Sequence, residues 1–140
     1  MALVGLMQAL ALEGEKYGIS VNCLAPTAAT AMTGGLLSPD AAERLSPDFV
    51  SPGLLALVGD DAPTRAILCA GAGHFARANI TLTKGAYLGT GEGAAERVVG
   101  NWYRIGDRAG EIVPGHGFMQ MERELASASA AAQARAAANG

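Results

Sequence analysis

Aromatic side chains are scarce in this chain, at 5% of 140 residues, and charged ones make up only 16%. A core therefore has to be built from aliphatic side chains, and half of the residues are hydrophobic, many of them alanine. The net charge of −3 offers no electrostatic reason to expect nucleic acid or an anionic membrane surface as a partner. There are two cysteines, Cys23 and Cys69, each inside an apolar run. They read as buried, reduced thiols of a cytoplasmic protein. His74 and His116 stand alone. With the two cysteines they show none of the close spacings that zinc sites use, so no metal site is expected.

Long hydrophobic runs are also missing. The first twelve residues, MALVGLMQALAL, lack a positive leading region. No cleavage pattern precedes the charged stretch Glu13 to Lys16, and the run is too short to span a bilayer. Neither a targeting segment nor a membrane span is expected.

What is present is an alternation of helix and strand signals. Leu3, Leu6, Met7, Leu10 and Ala11 recur at helical spacing over residues 1–16. Val4 and Leu12 widen the apolar face, so burial on more than one side is expected. Gly18 is the stop. No Ser, Thr, Asp or Asn precedes Leu3 as a cap, which reads as a helix beginning before the chain does. Ile19 to Leu24, β-branched and bounded by Gly and Pro, reads as a buried strand. Asn22 within it is expected to serve neighbouring backbone groups. Ser38 caps a short helix over 40–45, Ser46-Pro47 breaks it, and Ser51 caps a second helix over 52–58. Residues 65–70 form the next strand, which Gly71-Ala72-Gly73 ends or bends. From His74 to Thr83 the pattern alternates with period two, as in a half-exposed extended segment. Glycine-rich residues 85–93 connect to a helix over 94–105, and Glu111 to Pro114 forms a further extended piece. An Ala-rich helix over 118–138 comes next, with a short apolar stripe at Met121 and Leu125 and fraying at Asn139-Gly140. No internal repeat or domain boundary is evident, although residues 85–93 form a plausible hinge.

A strand followed by a loop at its carboxyl end is where open α/β sheets bind ligands, which directs attention to Pro26 to Thr33. Thr27, Thr30 and Thr33 leave two readings open: hydroxyls that serve a ligand, or hydroxyls that cap their own backbone. Gly89-Thr90-Gly91-Glu92-Gly93 precedes a helix but has neither the dinucleotide spacing nor a following Lys-Ser or Lys-Thr, and Glu92 would repel phosphate. It reads as a connection and helix start.

The segment Gly18-Ile19-Ser20-Val21-Asn22-Cys23-Leu24-Ala25-Pro26, after an apolar helix and before a threonine-containing loop, resembles the GI-x-VN-x-(I/L)-x-P signature of the short-chain dehydrogenase/reductase family. Phe49-Val50-Ser51-Pro52, the segment from His74 to Leu88 and the stretch from Asn101-Trp102 onward look like the (3R)-hydroxyacyl-CoA dehydrogenase region of the peroxisomal multifunctional enzymes and their bacterial relatives. The resemblance covers residues 1–121 and leaves 122–140 as an Ala-rich helical tail. It implies an α/β, partial Rossmann-like fold holding only the family's last strands and helices, with a helical carboxyl-terminal extension. It also implies NAD or NADP as cofactor of the parent, and a 3-hydroxyacyl or 3-oxoacyl thioester as its substrate. By the same resemblance Pro26, Ala28, Thr30 and Thr33 cover the nicotinamide, residues 32–49 form a substrate lid, and helix 1–16 packs against a second copy or a missing amino-terminal half. The family's Gly after this Pro is Thr27 here, and its Thr five residues beyond is Ala31.

The family's glycine-rich cofactor turn and its catalytic Ser and Tyr-x-x-x-Lys have no match. Tyr17, Tyr87 and Tyr103 each lack a lysine four residues on, and the resemblance places the family's lysine immediately before Met1. The resemblance thus implies an oxidoreductase by descent that is inactive as this chain alone. The competing expectation is a non-catalytic dimerisation or interaction module.

Overall fold

The computed structural model describes residues 1–33 and 35–138. The expected fraying at Asn139-Gly140 lies outside the described residues. The chain forms two compact units, Met1–Asn79 and Ile80–Gly140. That division by contacts is a separate matter from the division by resemblance at residue 121.

In the first unit, helix α1 spans Ala2–Gly14 and tightens into a 3₁₀ turn at Glu15–Tyr17. Gly18, at φ +67°, ends it in the left-handed conformation glycine tolerates. Strand β1 is Cys23–Pro26, α2 is Pro39–Arg44, α3 is Ser51–Val58, β2 is Ile67–Gly71 and β3 is His74–Ala78. The sheet order is β1-β2-β3, with β1 parallel to β2 and β3 antiparallel to it.

The pleat sorts the two faces. Cys23, Ala25, Ile67 and Cys69 lie on one face, and Leu24, Leu68, Ala70 and Phe75 on the other. The Cys23 thiol donates to the Leu3 carbonyl at 3.7 Å, which puts α1 on the first face. A Cβ on Gly53 would stand 3.1 Å from both Leu68 and Phe75, which puts α3 on the second. Helices on both faces of a parallel strand pair make a small three-layer α/β fold. Its described buried apolar residues are Met7, Ala11, Val50, Leu57, Ala66 and Ala70.

Several expectations change. The strand expected over 19–24 is formed by Cys23–Pro26, and it is half-buried to exposed rather than buried. Before Cys23, the Val21 N–H donates to the Thr64 hydroxyl and its carbonyl accepts from Arg65, so those groups are satisfied outside a regular ladder. Pro26 is accommodated because β1 is an edge strand with one neighbour. Cys23 and Cys69 are free thiols, half-buried rather than buried. Helix α1 buries one stripe, Met7, Ala11 and Gly14, and leaves Leu3, Leu6 and Leu10 exposed at 74%, 54% and 45%. Ser38 caps α2 as expected, accepting from the Ala41 N–H at 3.3 Å. Ser51 does not cap α3, because the 3₁₀ turn Pro47–Phe49 runs directly into it and leaves Val50 at the cap position.

In the second unit, α4 is Ala94–Gly100, α5 is Trp102–Ile105 and α6 is Met119–Ala138. The single helix expected over 94–105 is broken at Asn101. The Asn101 side-chain amide donates to the Arg97 carbonyl at 2.8 Å and ends α4 there. Leu82 and Ile112 exchange both backbone bonds, at 2.8 and 3.0 Å, so the extended piece at 111–114 has a partner. Arg123 on α6 donates to the Thr83 carbonyl at 3.1 Å. That bond fixes the rotation of α6. Met119, Arg123, Ala128 and Ala131 are half-buried, while Met121 and Leu125, the expected stripe, are exposed at 48% and 60%.

Candidate functional site

Because β1 and β2 are parallel, their carboxyl ends meet at one end of the sheet. The Thr27 N–H donates to the Ala70 carbonyl at 2.8 Å and carries the ladder one residue past β1. Here the loop passes unusually close to β2. A Cβ on Gly71 would stand 2.7 Å from the Thr27 carbonyl oxygen, too close for any other residue without a shift of backbone. The loop is then tied down at Ala29, whose N–H donates to the Leu45 carbonyl at 2.8 Å, just beyond α2.

Thr30 and Thr33 close a small turn on themselves. The Thr33 hydroxyl accepts from the Thr30 N–H at 2.9 Å and donates to the Thr30 carbonyl at 3.0 Å. The Thr30 hydroxyl accepts from the Met32 N–H at 3.3 Å, and its own proton has no acceptor among the described residues. Both threonines line a concavity of about 390 Å³ with Ala29, Leu37 and Ala42. Of the four residues carried over by resemblance, these two are therefore together. Pro26 ends the strand opposite Ala70, and Ala28 is half-buried in the loop; neither lines that concavity.

Asn22 is the residue that holds the loop's approach in place. Its amide donates to the Pro63 carbonyl at 2.6 Å and the Leu57 carbonyl at 3.3 Å, and its oxygen accepts from the Ala66 N–H at 2.9 Å. One side chain thus joins the entry of β1 to the end of α3 and the start of β2. The backbone-serving role read from the sequence is what the structure shows. The sequence marks Gly71 only as a strand stop. Nothing in a Gly-Ala-Gly run announces that a second segment will lie against it.

The glycine-rich stretch before α4 has the opposite polarity from a phosphate cradle. The Arg97 guanidinium donates to the carbonyls of Leu88, Thr90 and Glu92, at 2.7, 3.0 and 3.0 Å. Three carbonyl oxygens point inward at a cation, whereas phosphate needs inward N–H groups. His74 opens β3 and is exposed, and His116 lies 3.7 Å from Glu122. No group of three potential metal ligands occurs among the described residues, and none of their helices is long and apolar enough to cross a membrane.

No family model matches the chain. Individual proteins do. A protein of Mycobacterium tuberculosis named as a short-chain type dehydrogenase/reductase is 36% identical over 116 residues, covering 82% of this chain and 40% of the relative. The peroxisomal multifunctional enzyme A of Dictyostelium discoideum is 33% identical over 106 residues, covering 75% of this chain and 24% of the relative. The peroxisomal hydratase-dehydrogenase-epimerase of Neurospora crassa is 45% identical over 64 residues, 46% of this chain and 7% of that protein. Among solved structures, the full-length peroxisomal multifunctional enzyme type 2 of Drosophila melanogaster superposes with a TM-score of 0.70 at 21% identity, over 88% of this chain and 23% of that one. That structural match bears on the fold.

Sequence and fold agree: the chain is similar to part of a short-chain dehydrogenase/reductase, and it has a partial Rossmann-like α/β fold. Within that class its relatives include the peroxisomal multifunctional enzymes, the subgroup its motifs resemble. The chain spans 40% or less of the length of each of these relatives.

Proposed function

We propose that this chain supplies the carboxyl-terminal part of an NAD- or NADP-dependent oxidoreductase acting on a 3-hydroxyacyl or 3-oxoacyl thioester, or a similar alcohol or ketone. The observation that carries the reading is the loop Pro26–Thr33, which leaves the common carboxyl end of two parallel strands in a chain similar to dehydrogenases. The residues present fit one end of a nicotinamide cofactor. The concavity beside the loop is small and mostly apolar, and the exposed Thr30 hydroxyl proton has no acceptor among the described residues, so Thr30 would face the carboxamide with Pro26, Ala28 and Thr33 shaping the loop. A bound nicotinamide supplies hydride transfer; the chain's own part is to hold and cover that ring. The glycine-rich stretch over residues 88–93 turns three carbonyls inward and offers no N–H cradle for the pyrophosphate. The groups for acid–base chemistry and for the pyrophosphate belong to a partner segment outside this chain. The two thiols support a reducing compartment, read here as the cytoplasm, although several relatives are peroxisomal by name.

A second reading has its own observation. Leu3, Leu6 and Leu10 form an exposed apolar stripe on α1, which suits a partner helix from a second copy or from an amino-terminal half outside this chain. On that reading the chain is a non-catalytic interaction module.

The in-frame DNA upstream of the Met1 codon distinguishes the two. A frame encoding a glycine-rich turn and a Tyr-x-x-x-Lys is expected, and a stop codon next to a ribosome-binding site would sink the dehydrogenase reading in favour of the module. The purified chain alone is expected to give no nicotinamide reduction with a 3-hydroxyacyl thioester; turnover that tracks this polypeptide would overturn the division of labour. Within a complete enzyme, Gly71→Ala is expected to raise KM for the cofactor several-fold by displacing Thr27 (a steric cost of about 1–3 kcal/mol). An unchanged KM would remove the loop from the site.

A further inference from the structure

The second unit contains a groove built from residues 80–138 alone. The groove, about 540 Å³, runs between the extended segment at Lys84–Tyr87 and α6. Three cations line it, Lys84, Arg104 and Arg123, and no carboxylate does. None of the three forms an ion pair among the described residues. Arg123 is half-buried and held in place by its bonds to the Leu82 and Thr83 carbonyls, which fix the guanidinium without neutralising it. Ala130 and Ala131 give an apolar floor, and Tyr87 supplies an aromatic edge.

Three positive charges lining one groove with no carboxylate favour an anion among them. The neighbouring hollow, about 420 Å³, shares Lys84 and Arg123 but also holds Glu124, whose carboxylate accepts from Gln120 at 2.9 Å. That carboxylate makes the hollow the poorer place for an anion. The volume of the groove lies within the range of about 300–1,000 Å³ that small-molecule sites occupy. We infer that the groove between residues 84–87 and α6 binds a phosphate-bearing small molecule with a flat apolar body. Its phosphate lies among Lys84, Arg104 and Arg123, and its body lies on Tyr87 and the alanines.

The test is an NMR titration of the full chain with AMP, with adenosine and inorganic phosphate as the two separate halves of the probe. Saturable shifts confined to residues 84–87, 104 and 123–131 are expected with AMP, and clearly weaker ones with either half. Arg104→Glu, at an exposed position with no side-chain bond among the described residues, is expected to weaken AMP binding by about tenfold or more, while Arg104→Lys retains most of it. Shifts that do not saturate, that lie elsewhere, or that survive Arg104→Glu would overturn the assignment. Equal affinity for inorganic phosphate and AMP would also overturn it, since the apolar floor would then have no part. Mapping on the unmodified chain keeps the result independent of how either variant folds.

Discussion

Asn22 shows how much one side chain can hold. Its three bonds reach the Leu57 and Pro63 carbonyls and the Ala66 N–H, groups from two different segments. Asn22→Ala leaves the Leu57 carbonyl and the Ala66 N–H part-buried without that partner, at a cost of about 1–3 kcal/mol. Urea titration is expected to show a lower midpoint with an unchanged slope. A midpoint equal to that of the parent chain would mean that water replaces the amide at no cost. The structural role of Asn22 is legible in the sequence because an amide in an apolar run has few other uses. The pairing of Thr30 with Thr33 is not, because a hydroxyl's partner depends on a turn geometry that composition leaves open. At Glu111, the hydrogen bond from Arg108 is the largest influence, and it holds the carboxyl below the usual carboxylate range, with the Thr81 hydroxyl acting in the same sense and desolvation opposing. A carboxyl lowered on folding contributes stability above its ordinary value and loses that contribution as pH falls through the lowered one. Carbon-detected NMR is expected to find the Glu111 midpoint below the ordinary glutamate value. Arg108→Ala is expected to return it upward, and no movement would remove the pair as the cause.

The elements differ in how plainly the sequence announces them, for physical reasons. The α2 start is plain because Ser38-Pro39-Asp40 carries its own cap and first turn. The position of β1 differs by several residues from the apolar run, since such a run marks burial while the ladder is fixed by its partner. Here the pairing begins where Cys23 meets Ile67. The break at Asn101 is hidden because continuous helical periodicity runs across it. The β2–β3 hairpin turns through Ala72 and Gly73, at φ +52° and +73°. Two positive φ values are what a two-residue hairpin of this hand requires, and alanine suits the first position poorly. Ala72→Asn is expected to stabilise the first unit by about 1 kcal/mol, read as a higher urea midpoint. A loss of stability would show that the turn relaxes in solution to a form alanine prefers.

For the molecule as a whole, the described core consists of six buried apolar residues, all within residues 1–79. Leu3, Leu54, Leu55, Val58, Val99, Trp102 and Tyr103 each leave half or more of their surface exposed. Both outer strands of the sheet, β1 and β3, have one neighbour each. Exposed apolar side chains and open edges favour association over isolated stability. The chain alone is therefore expected to melt broadly, or to associate, below the range of about 45–65 °C typical of mesophilic domains. A sharp monomeric transition above ~60 °C, measured by calorimetry with light scattering, would contradict this. The family resemblance is legible because its signature spans a helix stop, a strand and a proline in fixed order. The division at Asn79 is not, since it depends on contacts that no local pattern records.

The sheet's connectivity also dictates an order of events during folding. β2 and β3 are neighbours in the chain, joined by a two-residue turn, and such hairpins close in about 1–10 μs. Of these three strands β1 is made before the other two, and its pairing with β2 closes a long loop that holds two helices, which is slower than closing the hairpin. Ala72→Asn, which acts in the early hairpin, should therefore raise the folding rate. Asn22→Ala, which acts where β1 docks last, should mainly hasten unfolding.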